Sequence, residues 1–233
     1  MIDLGKADNA FAQGGNRLCF FHPQHDDRCI KVARPERTPA LRRKSKTFPS
    51  NLKPLSRFDE NTNEIKAMHK IDRYIGDDAY GLIPYCYGML ATNFGPGLCS
   101  ELITNSDNRI SLTLKQYIWD FGKTQSLMSA LDRFVKEWSR LAMPSKKLLL
   151  HNIVVQQNIG PGNNEVKRLV VVDGLGWSGL AFLYYKMYSM GAARALKKAS
   201  EIYLEIDNLL VQKQNNSRGY HGWLKKDKRE EPL

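Results

Sequence analysis

The sequence predicts an α+β fold in two lobes, because a strand-rich first half gives way near residue 103 to a mainly helical second half. Two observations carry this. Short apolar and aromatic runs, LCFFH, CIKVA, YCYGMLA and GLCSELI, cluster before Ile103 and are separated by turn-forming residues. After it, TQSLMSALDRFVKEWSRLA repeats apolar residues at spacings of three and four. The lobes are expected over 1–103 and 104–214, with a basic tail over 215–233.

In the first half, Gly14-Gly15-Asn16 supplies residues that tolerate positive φ and is followed by β-formers, a hairpin signature. With HPQHDDR separating LCFFH from CIKVA, three antiparallel strands are expected between Ala10 and Ala33. The basic, proline-bearing segment 34–57 has no usable periodicity and reads as a loop. FDENTNEIKAMHKIDRYI then predicts a helix of about four turns, with Asp59 and Asn61 as candidate caps and Glu64 inside it. Two further strands joined by TNFGPG complete the order β-β-β-α-β-β, a five-stranded lobe with one helix.

In the second half, SLTLKQYIWDF reads as one helix, and Leu127, Leu131, Phe134, Val135, Trp138 and Leu141 mark the buried face of another, stopped by Pro144. IVVQQ and RLVVVDG, flanking the polar NIGPGNNEVK, form a hairpin. Two helical stretches are expected from Trp177 to about Lys213.

Four cysteines without a C-x-x-C pair indicate neither a zinc site nor a disulfide framework. No segment approaches the apolar length of a membrane span and the start lacks a signal-peptide pattern, so the chain reads as cytoplasmic. A net charge of +11 favours an anionic partner, whether ATP, nucleic acid, an acidic protein or a membrane surface, without choosing among them. Much of that charge lies in segment 34–57 and in the tail.

Three residues stand at the ends of, or within, apolar strands where polar chemistry is costly. Lys31 interrupts CIKVA, so its ammonium either snorkels out of the strand or meets an anion. Asn152 immediately precedes IVVQQ and Asp173 ends RLVVVD, so a hairpin brings an amide oxygen and a carboxylate to one end. Hard oxygens of that kind suit Mg²⁺ held together with phosphates. A helix carboxylate would hold Lys31 extended; Glu64 is the candidate and Glu60, one turn earlier, is the alternative.

Through AQGGNRLCFFHP, RCIKVARPE, NEIKAMHKI, IPYCYG, TNFGPGL, SLTLKQYI, HNIVVQ and VVVDGLG, the sequence resembles the YrbL family, the PhoP regulatory network proteins. The resemblance implies a bilobal protein-kinase-like fold, with a reduced, mainly helical C-lobe carrying a catalytic-site hairpin. It implies an ATP and Mg²⁺ site in which Gly14 and Gly15 cover phosphates, Lys31 and Glu64 form the phosphate-binding pair, and Ser100 to Ile103, with Glu101 and Ile103, form the adenine hinge. Asn152 and Asp173 take the metal. At the catalytic-loop position, five residues before Asn152, kinases carry Asp and this chain carries Lys147. The functional expectation is therefore a weak or atypical phosphotransferase, or a nucleotide-gated regulator, in a PhoP-type stress-response network. The alternative is a non-catalytic interaction protein whose basic segment 34–57 binds an anionic partner.

Overall fold

The computed structural model describes residues 1–146, 148–161, 163–177, 188–215 and Leu224. It divides into two compact units: Met1–Lys66 with Tyr85–Leu102 and Leu224, and Ala67–Pro84 with Ile103–Trp223. The N-terminal part is sheet-rich and the C-terminal part helical, the α+β character expected from the sequence.

In the first unit, β1 (Ala12–Gln13), β2 (Arg17–His22), β3 (His25–Ala33), β4 (Cys86–Thr92) and β5 (Gly95–Glu101) form one sheet in the order β1-β2-β3-β5-β4, all pairs antiparallel. Alternation decides its faces. Leu18, Phe20, Ile30 and Val32 bury one side against Leu4 and Ala10. Gly97 is on that side because nothing larger fits: a Cβ there would lie 2.6 Å from Ile30 Cγ2. Lys31, one residue out of phase with Ile30 and Val32, belongs to the opposite face.

The strands outrun their apolar cores. β3 begins at His25, so the turn after β2 is only Pro23-Gln24 and not the longer HPQHDDR separator; the exposed His25, Asp26 and Asp27 stay in the ladder while their side chains face water. The β1–β2 turn closes with Gly14 N–H donating to Arg17 C=O at 2.9 Å, and neither Gly14, Gly15 nor Asn16 uses a positive φ. The basic segment is not a featureless loop either. It contains 3₁₀ turns at Pro35–Arg37, Ser50–Leu52 and Leu55–Arg57 and a six-residue helix α1 (Pro39–Lys44), started by Thr38 Oγ1 accepting from Leu41 N–H with proline at the first position. Elements this short leave no periodicity to read.

Helix α2 (Glu60–Ile75) matches the predicted four turns. Asp59 caps it, accepting from Asn61 N–H at 3.0 Å. Asn61 does not cap: its side chain donates to Lys31 C=O at 2.8 Å and accepts from Arg17 at 3.2 Å.

In the second unit, β6 (Leu112–Thr113), β7 (Ile153–Gly160) and β8 (Asn163–Val171) form a three-stranded sheet in that order. SLTLKQYIWDF is thus split: Leu112–Thr113 pair with Val155 and Val154, and α3 (Leu114–Phe121) starts only where Thr113 Oγ1 accepts from Gln116 N–H at 3.1 Å. The β7–β8 hairpin runs through the polar NIGPGNNEVK to Gly160↔Asn163. Helix α4 (Gln125–Arg140) buries Leu127, Ala130, Leu131, Phe134, Val135 and Trp138 and packs on β8 and on α5 (Tyr188–Gln214). It ends before Leu141, which is only half-buried, and Ala142 at φ +49° turns the chain ahead of Pro144. Of the two helical stretches expected after Trp177, residues 178–187 lie outside the described residues, and 188–214 is one continuous helix. The tail expected over 215–233 also lies outside them, apart from Asn215 and Leu224. All four cysteines are free, with Cys29 and Cys99 buried. Among the described residues no helix is long and apolar enough to cross a membrane.

Candidate functional site

Sheet register puts Lys31 of β3 between Cys19 of β2 and Leu98 of β5, on the face opposite the apolar cluster. Its ammonium does not snorkel to solvent. Lys31 is 5% exposed, and Nζ donates to Glu64 Oε1 at 2.8 Å; Glu64, one turn into α2, is 6% exposed. Glu64, not Glu60, is therefore the helix carboxylate that holds the lysine. Its second oxygen, Oε2, lies 2.6 Å from Arg17 Nη1. One carboxylate is thereby shared by two buried cations. The charges continue outward: Arg17 Nε is 3.6 Å from Glu60 Oε2, and Glu60 Oε1 meets Arg42 Nη1 at 3.1 Å and Asn16 Nδ2 at 2.7 Å. Burial pushes the neighbouring Cys29 thiol up, with the Lys31 cation pulling the other way, so the fold disfavours its thiolate.

Arg17 is the residue that sequence reasoning missed. It begins β2 directly after a glycine turn, where a cation reads as a solvated strand end. The only available signal was its place on the strand paired with β3, since Arg17 pairs with Ala33 two positions beyond Lys31.

The remaining predicted residues of this unit are in ordinary polar settings. Gly14 and Gly15 lie in the β1–β2 turn, where Arg34 Nη1 donates to Gly14 C=O at 3.3 Å and Gly15 has open space around it. Ser100 is fully buried, its hydroxyl 3.4 Å from Cys29 Sγ. Glu101 Oε2 accepts from Tyr85 N–H at 3.1 Å, and Glu101 N–H donates to Tyr85 C=O at 2.8 Å. Leu102 N–H donates to Asp27 C=O at 2.8 Å.

In the second unit Ile103 is buried and its carbonyl accepts from Ser111 N–H at 3.0 Å. Asn152 closes a 3₁₀ turn (Leu150–Asn152) at the entry to β7, and its carbonyl accepts from Val172 N–H at 2.8 Å. Asp173, the next residue, is half-buried, and its Oδ1 accepts from Gly174 N–H at 2.6 Å. The backbones of Asn152 and Asp173 thus lie at the same end of the hairpin. Lys147 lies outside the described residues. The residues before it are tied to the stretch after Asp173: Lys146 N–H donates to Gly174 C=O at 2.8 Å, and Ser145 pairs with Leu175. Lys198 of α5 grips the same turn through the carbonyls of Ser145 and Lys146, and burial pulls its ammonium below the ordinary lysine range. Nothing in the periodicity of α5 marks Lys198 for that role.

The family model described as PhoP regulatory network protein YrbL matches residues 2–206. Among curated proteins, the Uncharacterized protein YrbL of Escherichia coli (strain K12) is 26% identical over 178 residues, covering 69% of this chain and 74% of its own. The Uncharacterized protein YrbL of Shigella flexneri matches with the same identity and coverage. On a match spanning nearly the whole chain, the protein belongs to the YrbL family, whose name links it to the PhoP regulatory network.

Proposed function

We propose that this chain is a kinase-like protein that binds ATP with Mg²⁺ in the cytoplasm and acts in the PhoP network as a weak phosphotransferase or nucleotide-gated regulator. One observation carries the reading: the buried Lys31–Glu64 pair at 2.8 Å. A buried ion pair is a poor way to stabilise a fold, since packed apolar residues do as well or better. A lysine held extended from a strand by a helix carboxylate is instead what the phosphates of a nucleotide require. Arg17 brings a second cation to the same carboxylate and reaches Glu60 as well, so the cluster is built around paired charges.

The donor chemistry of Asn152 and Asp173 fits Mg²⁺, an amide oxygen and a carboxylate leaving room for water and phosphate oxygens. Bound Mg²⁺ would neutralise phosphate charge; this chain supplies the oxygens that hold it and the Lys31 ammonium. Lys147 decides between the two activities. A protonated amine cannot take the proton of an acceptor hydroxyl, a contribution worth roughly 10²–10⁴-fold, yet positioning and electrostatics supply most of phosphoryl transfer.

A thermal-shift and calorimetric titration with ATP, with and without Mg²⁺, tests the reading. ATP at about 100 times its Kd is expected to stabilise the protein by about 2.7 kcal/mol. Absence of any nucleotide-dependent shift, alone or with Mg²⁺, overturns it. Single-turnover assays on the parent, Lys147→Ala and Lys147→Asp then separate chemistry from binding. The second reading, a non-catalytic interaction protein, is favoured by the run from Arg37 to Arg57, which contains no carboxylate.

A further inference from the structure

From Arg37 to Arg57 the chain carries seven cations and no acidic residue. The segment is structured: α1 packs against the 3₁₀ turns Ser50–Leu52 and Leu55–Arg57. It is anchored from beneath by Arg42, which binds Glu60 and donates to Phe58 C=O at 2.6 Å. On this anchored base the apolar side chains remain outside. Phe48 is 77% exposed, Leu52 72%, Leu41 48% and Leu55 43%. Arg37, Arg43, Lys44, Lys46, Lys53 and Arg57, interleaved with them, are exposed as well.

A single exposed leucine needs no explanation. Four large apolar residues within 15 positions, Leu41, Leu52 and Leu55 on elements packed together and Phe48 in the turn between them, are set among cations and combine two kinds of attraction in one short segment. We propose that this segment docks the protein on an anionic lipid surface, with Phe48, Leu52, Leu41 and Leu55 entering the boundary between headgroups and acyl chains and the cations meeting lipid phosphates. Interfacial segments are recognised by this pairing of a basic component with Phe and Leu, and each Lys or Arg near such a surface adds its own attraction. A nucleic acid would use the same cations but would gain little from three leucines; it rewards stacking aromatics and base-edge donors, and Phe48 is the segment's only aromatic residue. The inference uses none of the residues of the nucleotide reading and stands or falls without it.

The test is co-sedimentation of the full chain with vesicles of phosphatidylcholine alone and of phosphatidylcholine with one-third phosphatidylglycerol, at about 0.1 M salt. Binding is expected to the anionic vesicles and not to the neutral ones. Arg43→Gln, Lys44→Gln and Lys46→Gln are each expected to weaken partition about fivefold, and Phe48→Ser with Leu52→Ser at least about tenfold. All of these side chains are exposed, so circular dichroism should show an unchanged fold. A Phe48→Trp variant gives a second readout, a blue shift of emission on anionic vesicles alone. Failure to sediment with anionic vesicles overturns the proposal. So does binding that the charge variants abolish but the Phe48 and Leu52 variants leave intact, especially with duplex DNA or RNA bound the same way, since that is a polyanion surface. Equal binding to neutral vesicles overturns it as well.

Discussion

Lys31 Nζ and Glu64 Oε1 are 2.8 Å apart on side chains that are each less than one-tenth exposed, and Arg17 lies 2.6 Å from the other oxygen of the same carboxylate. Glu64 is thus the hub of a buried three-charge cluster in which neither cation has the carboxylate to itself. The cost of removing each member therefore differs, and that difference separates a role in the fold from a role in binding.

Lys31→Ala leaves Glu64 with Arg17 as counter-ion and is expected to cost about 1–2 kcal/mol of stability, a charged hydrogen bond without an orphaned ion. Glu64→Ala leaves two cations buried with no carboxylate between them and should cost about 3–5 kcal/mol. Urea unfolding of the two variants checks the order. On the nucleotide reading, Lys31→Ala also weakens ATP binding about tenfold to a hundredfold; unchanged affinity in calorimetry removes Lys31 from the site.

Asp173→Asn is expected to lower the Mg²⁺-dependent part of ATP binding more than the metal-independent part, because Asp173 supplies the only full negative charge of the Asn152–Asp173 pair. Glu165→Gln, an exposed position in the β7–β8 hairpin, is the control. Titrations at matched nucleotide with and without Mg²⁺ give the comparison, and equal losses from both substitutions would argue against a metal site at Asp173.

Gly97→Ala should destabilise the sheet by about 1–3 kcal/mol, the cost of overpacking, since the new Cβ meets Ile30 Cγ2 at 2.6 Å and Val32 Cγ1 at 3.2 Å. Gly15→Ala meets open space without a positive φ and is expected to change stability by less than about 0.5 kcal/mol. Chemical denaturation of the pair distinguishes a packing glycine from one that merely sits in a turn.

Burial pushes the Cys99 thiol up to about 11 from its ordinary 9.0. The folded state holds the neutral thiol longer than the unfolded chain, so this contribution is fully present below pH 9 and is lost as pH rises towards 11. The Cys99→Ala protein should accordingly lose stability less steeply across that window than the parent, as measured by urea unfolding at stepped pH. Parallel slopes would mean that the thiol is not held neutral by the fold.

The elements legible in the sequence were those with long runs of one period. The apolar runs LCFFH and CIKVA, the stripe of α4 as far as Trp138 and the capped start of α2 at Asp59 each depend on neighbours within a few residues, and the structure has them there. The errors fell where polar residues continue a strand or where elements are too short to repeat. β3 and the β7–β8 hairpin run on through polar stretches because backbone hydrogen bonds need no apolar side chain. The Leu112–Thr113 strand was hidden inside a helical pattern because a partner from β7, some 40 residues away, claims it.

The candidate site divides the same way. Residue type and spacing marked Lys31, Asn152 and Asp173 as candidates, a cation inside an apolar strand and polar oxygens at the ends of two adjacent strands, and the family resemblance lent them their expected roles. The choice of Glu64 over Glu60, the entry of Arg17 into the cluster and the diversion of Asn61 from capping to bridging Lys31 and Arg17 were decided only in three dimensions. Glu60 and Glu64 lie one turn apart on α2, and nothing local distinguishes them. Sheet register fixes where Lys31 emerges relative to the helix, and a buried ammonium takes the carboxylate within hydrogen-bond reach. Local sequence therefore set which groups must be paired, and long-range packing set with whom.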